Sequence, residues 1–203
     1  MLKTFRESLC AGILITIGGT VFLSCENKTA GAVLFSVALL CICYKGYYLF
    51  TGKIGYIVEQ HKKQDFLNLA VGLFGNLIAT FLLGMLLRTV LPNIGERAAE
   101  MCSAKLAQFP LYSFIRGFFC GILMYLAVSI YKEKNSVLGV LFCVPVFILC
   151  GFEHSIADMF YFGTSGIFDT KIIFFMALIV AGNTLGAMVL PLLKGVHTNE
   201  KQG

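Results

Sequence analysis

Apolar residues run along this chain in blocks separated by short polar stretches. Six blocks stand out, at residues 8–24, 29–44, 66–91, 106–131, 136–151 and 172–194. A helix needs about 20 predominantly apolar residues to cross the hydrocarbon core of a bilayer. The pattern therefore predicts an all-α membrane protein of six transmembrane helices, the second and fifth of them short. Residues 1–203 read as a single transmembrane domain. The first block follows Lys3 and Arg6, as the apolar stretch of a signal peptide would, and Leu23-Ser24-Cys25 resembles a lipoprotein cleavage site. A retained span is the better reading, because the rest of the chain is itself membrane-embedded and the block has a partner later in the sequence.

That partner belongs to an internal repeat. Val33-Leu34-Phe35-Ser36-Val37 recurs 107 residues later as Val140-Leu141-Phe142-Cys143-Val144. Gly75-Asn76 recurs at the same offset as Gly182-Asn183, and Ser8 and Gly12 match Ser113 and Gly117 at an offset of 105. Three matches in order at nearly one offset predict two related halves, at about residues 6–91 and 106–195. Each half holds three spans, and an odd number reverses the second half, giving an inverted 3+3 repeat. Such folds place their permeation site where broken helices of the two halves meet. Spans two and five run into polar, glycine-containing segments at Tyr44-Lys45-Gly46-Tyr47-Tyr48 and Gly151-Phe152-Glu153-His154-Ser155, so both helices are predicted to be broken there. At offset 107, residues 45–51 fall opposite residues 152–158.

Composition agrees with a bilayer protein. Of 203 residues 58% are hydrophobic and 13% charged, and the mean hydropathy is +0.83. The net charge of +5 is spread over helix ends rather than clustered, so nucleic acid is not an expected partner. Nine basic residues, Lys3, Arg6, Lys53, Lys62, Lys63, Lys132, Lys134, Lys194 and Lys201, fall on one side of the predicted spans. Five, Lys28, Arg88, Arg97, Lys105 and Lys171, fall on the other. By the positive-inside rule both termini are cytoplasmic, in a cell (inner or plasma) membrane. Most of the eight cysteines sit within or beside apolar spans and form no CxxC pair, so neither a metal nor a disulfide framework is expected.

Few polar residues remain to carry chemistry. His154 lies inside an apolar block with Glu153 before it; ionisable groups at membrane depth usually face a cavity or one another. Leu49 and Phe50 beside Thr51 read as an apolar constriction next to one hydroxyl, with Phe160 and Phe162 as further narrowing or plain core. Asn76 and Asn183 either pack helices together through their amides or reach the permeant. Lys45 either snorkels from a helix end or lies on the path. Arg116, a turn into span four, is placed to gather anions at a cavity mouth. An isolated ion in a low-dielectric interior costs on the order of tens of kcal/mol. A small conjugate base could instead take a proton from or through His154 and cross as the neutral acid, since histidine titrates in the working range.

Gly151-Phe152-Glu153-His154-Ser155-Ile156-Ala157-Asp158-Met159 closely resembles the signature of the formate/nitrite transporter family, Gly-Phe-Glu-His-Ser-x-Ala-Asn-Met. Leu49-Phe50-Thr51-Gly52 is similar to its first-loop motif; both Gly-Asn pairs and Leu126-Ala127-Val128 agree as well. The resemblance implies an aquaporin-like homopentamer with one pore per protomer, two vestibules and two apolar constrictions. It also implies permeation of formate, nitrite, hydrosulfide or similar weak-acid anions, without a cofactor. His154 would be the central polar residue, Thr51 its hydrogen-bonding neighbour, Leu49 and Phe50 the constriction, and Arg116 the basic residue the family often has. This chain departs by having Asp158 for asparagine, Tyr48 for an acid, Lys53 for asparagine and Gly121 for asparagine. Lys45 and Lys53 are the cations expected to offset Asp158. A neutral-solute channel for urea or ammonia is the competing class; the paired Asn-Pro-Ala boxes of water and glycerol channels are absent. An enzyme is not expected, since no second catalytic cluster accompanies His154.

Overall fold

The two short predicted blocks, 29–44 and 136–151, each form one helix that ends at a break. In the computed structural model, which describes residues 1–59 and 61–195, the second span is α2 (Lys28–Lys45), following α1 (Leu2–Ser24). After a break come a short α3 (Phe50–Lys53), a 3₁₀ turn (Ile54–Val58) and α4 (Lys63–Val90). The second part of the chain comprises α5 (Pro92–Leu106), α6 (Pro110–Lys134), α7 (Leu138–Leu149), α8 (Ser155–Ser165) and α9 (Lys171–Lys194). No strand occurs among the described residues. Five helices, α1, α2, α4, α6 and α9, are long and apolar enough to cross a membrane. At 12 residues, α7 reaches only about 18 Å, too short to do so alone. Lys201 lies outside the described residues.

Each break is made the same way. Gly46 (φ 68°) ends α2 and Gly151 (φ 69°) follows α7, both in the left-handed region open to glycine. Three residues on, Leu49 and His154 precede α3 and α8 in extended conformation. Gly151 stands 105 residues after Gly46, and His154 the same distance after Leu49. Burial follows the same register: Phe35, Leu39 and Ile42 are buried in α2, as are Val140, Val144 and Phe147 in α7. The offset of 107 taken from Val33-Leu34-Phe35-Ser36-Val37 is therefore corrected to 105 through the broken spans. Val33 is 46% exposed whereas Val140 is fully buried, so that five-residue likeness is a similarity of composition and not of position.

α6 packs along α9, α1 along α4, and α8 against α4 and α5. Small residues make the α6–α9 approach possible, as they do in membrane helix pairs. At Gly121, which departs from the family pattern, a side chain would meet the Asn183 carbonyl and, at 2.9 Å, the Ala187 nitrogen, and Gly182 and Gly186 of α9 are as closely confined against the backbone of α6. Large apolar side chains such as Val37, Phe74, Phe142 and Ile173 stay exposed on the outside.

α5 lies outside the six predicted blocks, and span four begins at Pro110 rather than near residue 106. Proline at the start of α5 suits a position whose N–H would be unpaired in any case. Its apolar stripe, Ile94, Ala98 and Cys102, is buried.

Candidate functional site

Two asparagines hold the broken segments in place. Asn76 on α4 donates through Nδ2 to the carbonyls of Ser8 (2.8 Å) and Tyr48 (2.9 Å), and its Oδ1 accepts from the Phe50 N–H at 2.8 Å. Asn183 on α9 donates to the carbonyls of Gly117 and Glu153, both at 2.8 Å, and accepts from the Ser155 N–H at 2.9 Å. Each amide thus ties a long helix to a carbonyl within a break and to the first N–H of the short helix beyond it. Unpaired backbone is not tolerated at membrane depth, and these side chains supply partners that the helices cannot. Both asparagines are fully buried and border neither of the two cavities beside the Thr51–His154 pair, so their place in the structure is that of positioning residues.

The broken segments meet at Thr51 and His154. Thr51 Oγ1 lies 2.8 Å from His154 Nε2, and both residues are at most 2% exposed. His154 is also the N-cap of α8: its Nδ1 accepts from the Ala157 N–H at 3.1 Å. An Nδ1 that accepts carries no proton, so the neutral ring bears its hydrogen on Nε2 and donates it to Thr51. The Thr51 hydroxyl hydrogen is then left for another acceptor. Phe147 stacks on the imidazole with centroids 5.6 Å apart and planes 20° apart, giving the polar pair an aromatic wall.

A cavity lies on each side of this pair. One, of about 230 Å³, is bordered by His154, Glu153, Asp158, Lys105, Arg116, Lys28 and Phe147. The other, of about 70 Å³, is bordered by Leu49, Gly52, Lys53, Val128, Tyr131 and Lys132. Arg116 comes from the first turns of α6 and Lys132 from its last, so the cavities open toward opposite ends of that helix.

The larger cavity holds a buried charge cluster. Lys105, from the end of α5, forms an ion pair with Glu153 and lies 3.0 Å from Asp158 Oδ1. Glu153 and Asp158 are each 1% exposed. The expectation that Lys45 and Lys53 offset Asp158 is corrected: Lys45 is exposed at the end of α2, and Lys53 borders the opposite cavity.

The structure thus brings together His154, Glu153, Thr51, Asp158 and Arg116, with Leu49 lining the far side. Phe50 is buried at the start of α3 without bordering either of these cavities, Lys45 stands apart from both, and Phe160 and Phe162 are fully buried core. Lys105, Phe147, Val128 and Lys132 were not read from the sequence as site residues. Lys105 was legible in principle, since it follows Ile94, Ala98 and Met101 at helical spacing, a cation closing an apolar stripe.

Interrupted apolar helices that converge on an uncharged hydroxyl–imidazole pair, with a cavity to either side, define a multi-pass membrane protein of the transport class. The chain belongs to the Formate/nitrite transporter family, whose pattern it matches over residues 1–194. The uncharacterized transporter YwcJ of Bacillus subtilis (strain 168) is 30% identical over 185 residues, covering 81% of this chain and 72% of YwcJ. The formate channel FocA of Escherichia coli (strain K12) is 25% identical over 187 residues, covering 78% of this chain and 65% of FocA. A solved pentameric formate channel with formate bound has a TM-score of 0.79 at 24% identity, covering 95% of each chain. An FNT family ion channel has the same TM-score at 21% identity, covering 95% of this chain and 87% of its own. These structures share the fold.

Proposed function

We propose that this chain passes small monovalent weak-acid anions such as formate, nitrite or hydrosulfide across a cell membrane, as one pore of a homopentamer with both termini cytoplasmic. The observation that carries the reading is the Thr51–His154 pair, buried between two cavities that open toward opposite ends of α6. The relatives named as formate channels support the permeant class, and the pentameric one supports the assembly. Two three-span halves of opposite orientation, about residues 6–91 and 106–195, fit the matched breaks and the matched asparagine bridges.

The physics of the passage follows from charge. A bare anion beside Leu49 and Phe147 would lose its hydration with only one hydroxyl and one ring N–H to replace it, at a cost of several kcal/mol or more. The same ion carrying a proton crosses at far lower cost. His154 contributes a neutral Nε2–H donor and, with Thr51, a fixed pair of hydrogen-bonding groups at the neck. Its Nδ1 is engaged by Ala157, so the ring orients the permeant, and the accompanying proton is taken up on the cavity side.

Uptake of formate, nitrite, hydrosulfide, acetate and urea into proteoliposomes, followed by light scattering, tests the proposal. The expected result is flux of the first three, rising as pH falls, with His154→Phe sharply reduced and the oligomer intact. Flux of urea alone would replace this reading with a neutral-solute channel, and unchanged flux and pH dependence in His154→Phe would remove the role given to the ring.

A further inference from the structure

The charge cluster in the larger cavity does not balance. Lys105, its side chain 11% exposed, brings one positive charge, and the buried Glu153 and Asp158 bring two negative ones. Glu153 Oε2 is held by Lys105, and so is Asp158 Oδ1, but Asp158 Oδ2 has no hydrogen-bond partner. A buried carboxylate oxygen that accepts nothing is costly, and two carboxylates around one ammonium resist ionising together.

Among the described residues the surrounding elements supply no second compensating charge. From α5 only Cys102 joins Lys105, α8 adds Tyr161, α6 adds Cys120, and the break adds the neutral His154. Arg116 and Lys28 border the cavity, yet neither lies within ion-pair distance of a carboxylate among the described residues. Arg88 of α4 sits against Gly166 at the other end of α8. α1 meets α8 through Gly19 against Phe160, with its own ionisable residues Lys3, Arg6, Glu7 and Cys10 further back along the helix. The only ionisable residues of α9 are Lys171 and Lys194, at its two ends.

We propose that Asp158 is a proton-binding site, and that the proton it carries sets whether the cavity beside α5 admits an anion. With the proton on the Asp158 carboxyl, the cluster is neutral and its O–H is a donor beside His154. Without it, the cluster is net negative and repels an approaching anion. The proposal rests on the reading of this chain as an anion path, and it gives this sequence a pH response that an asparagine at the same position would lack.

The test compares the full-length protein in liposomes with Asp158→Asn, using formate and nitrite as probes from about pH 5 to about pH 8. Protonation of the permeant itself affects both proteins equally, so the quantity to read is the ratio of variant to wild-type flux. That ratio should climb with pH. Infrared difference spectra across the same pH step should contain a protonated-carboxyl C=O band in the wild type that Asp158→Asn lacks. Asp158→Ser serves as the neutral variant if Asp158→Asn does not assemble by size-exclusion chromatography. A flat flux ratio overturns the proposal, as does a band that is absent from the wild type or persists in the variant. If the wild type passes neither anion, the anion reading fails, and the band alone decides whether Asp158 binds a proton.

Discussion

Thr51 Oγ1 and His154 Nε2 stand 2.8 Å apart although 103 residues separate them in the chain. Neither residue can be placed by its own helix alone. Thr51 sits in the four-residue α3 and His154 caps α8, so their meeting depends on both breaks stopping at the right depth.

This dependence makes Thr51 sensitive to small changes. Thr51→Val keeps the shape and removes the only hydroxyl that accepts from the ring. A neutral hydrogen bond is worth about 0.5–1.5 kcal/mol, so flux should fall by up to roughly tenfold. Thr51→Ser restores the oxygen and should recover most of it. Stopped-flow uptake of formate by the three proteins, at matched oligomer content, checks the ranking; equal rates for valine and serine would contradict it.

Asn76 and Asn183 should matter for stability before transport. Asn183→Ala leaves the Gly117 and Glu153 carbonyls and the Ser155 N–H without their partner in a fully buried place. Each buried orphan costs about 1–3 kcal/mol, and the loss should exceed about 2 kcal/mol in total. Asn76→Ala should behave alike through Ser8, Tyr48 and Phe50. Thermal unfolding in detergent measures both variants against the wild type. A melting temperature within a degree or so of wild type would refute the bridging role.

Much of this was legible in the sequence, because a bilayer leaves few reasons for polar residues in apolar blocks. His154, Glu153 and the two Gly-Asn pairs stood out on that ground alone. The register of the breaks was misjudged, since Val33-Leu34-Phe35 and Val140-Leu141-Phe142 are alike in type while facing different ways, and direction is a property of packing. The role of Lys105 was hidden for a related reason. α5 carries Glu96, Arg97, Glu100 and Lys105, so the short stripe of Ile94, Ala98 and Met101 that points to Lys105 is easily overlooked until the helix docks on α8. Lys45 was misleading in the opposite sense, a cation beside the break whose helix end points it outward.

Lys105 should be hard to replace alone. Lys105→Met leaves Glu153 and Asp158 without their shared partner, and breaking a buried ion pair from one side typically costs about 3–5 kcal/mol. Adding Glu153→Gln and Asp158→Asn removes the stranded charges and should return most of the lost stability. The recovery distinguishes a charge effect from lost packing, since the methionine is present in both proteins. Chemical or thermal unfolding of the single and triple variants provides the comparison.

The cavity at the other end of α6 makes a separate prediction about salt. Lys132 Nζ lies 3.8 Å over the Tyr56 ring and Lys53 Nζ 5.7 Å from that of Tyr48, and both lysines border the cavity behind Leu49. Neither is within ion-pair distance of a carboxylate among the described residues, so their charge is free to act on an approaching anion. Screening limits that reach to about 30 Å at 0.01 M salt and about 10 Å at 0.1 M. The double variant Lys53→Gln with Lys132→Gln should therefore slow anion uptake at low ionic strength and approach the wild type as salt is raised. The effect should be present when the anion is supplied to the face bearing Lys132 and absent when it is supplied to the face bearing α5. Oriented proteoliposomes assayed in both directions give the comparison, and a loss that ignores salt or direction would mean that these lysines shape the neck instead of attracting the ion.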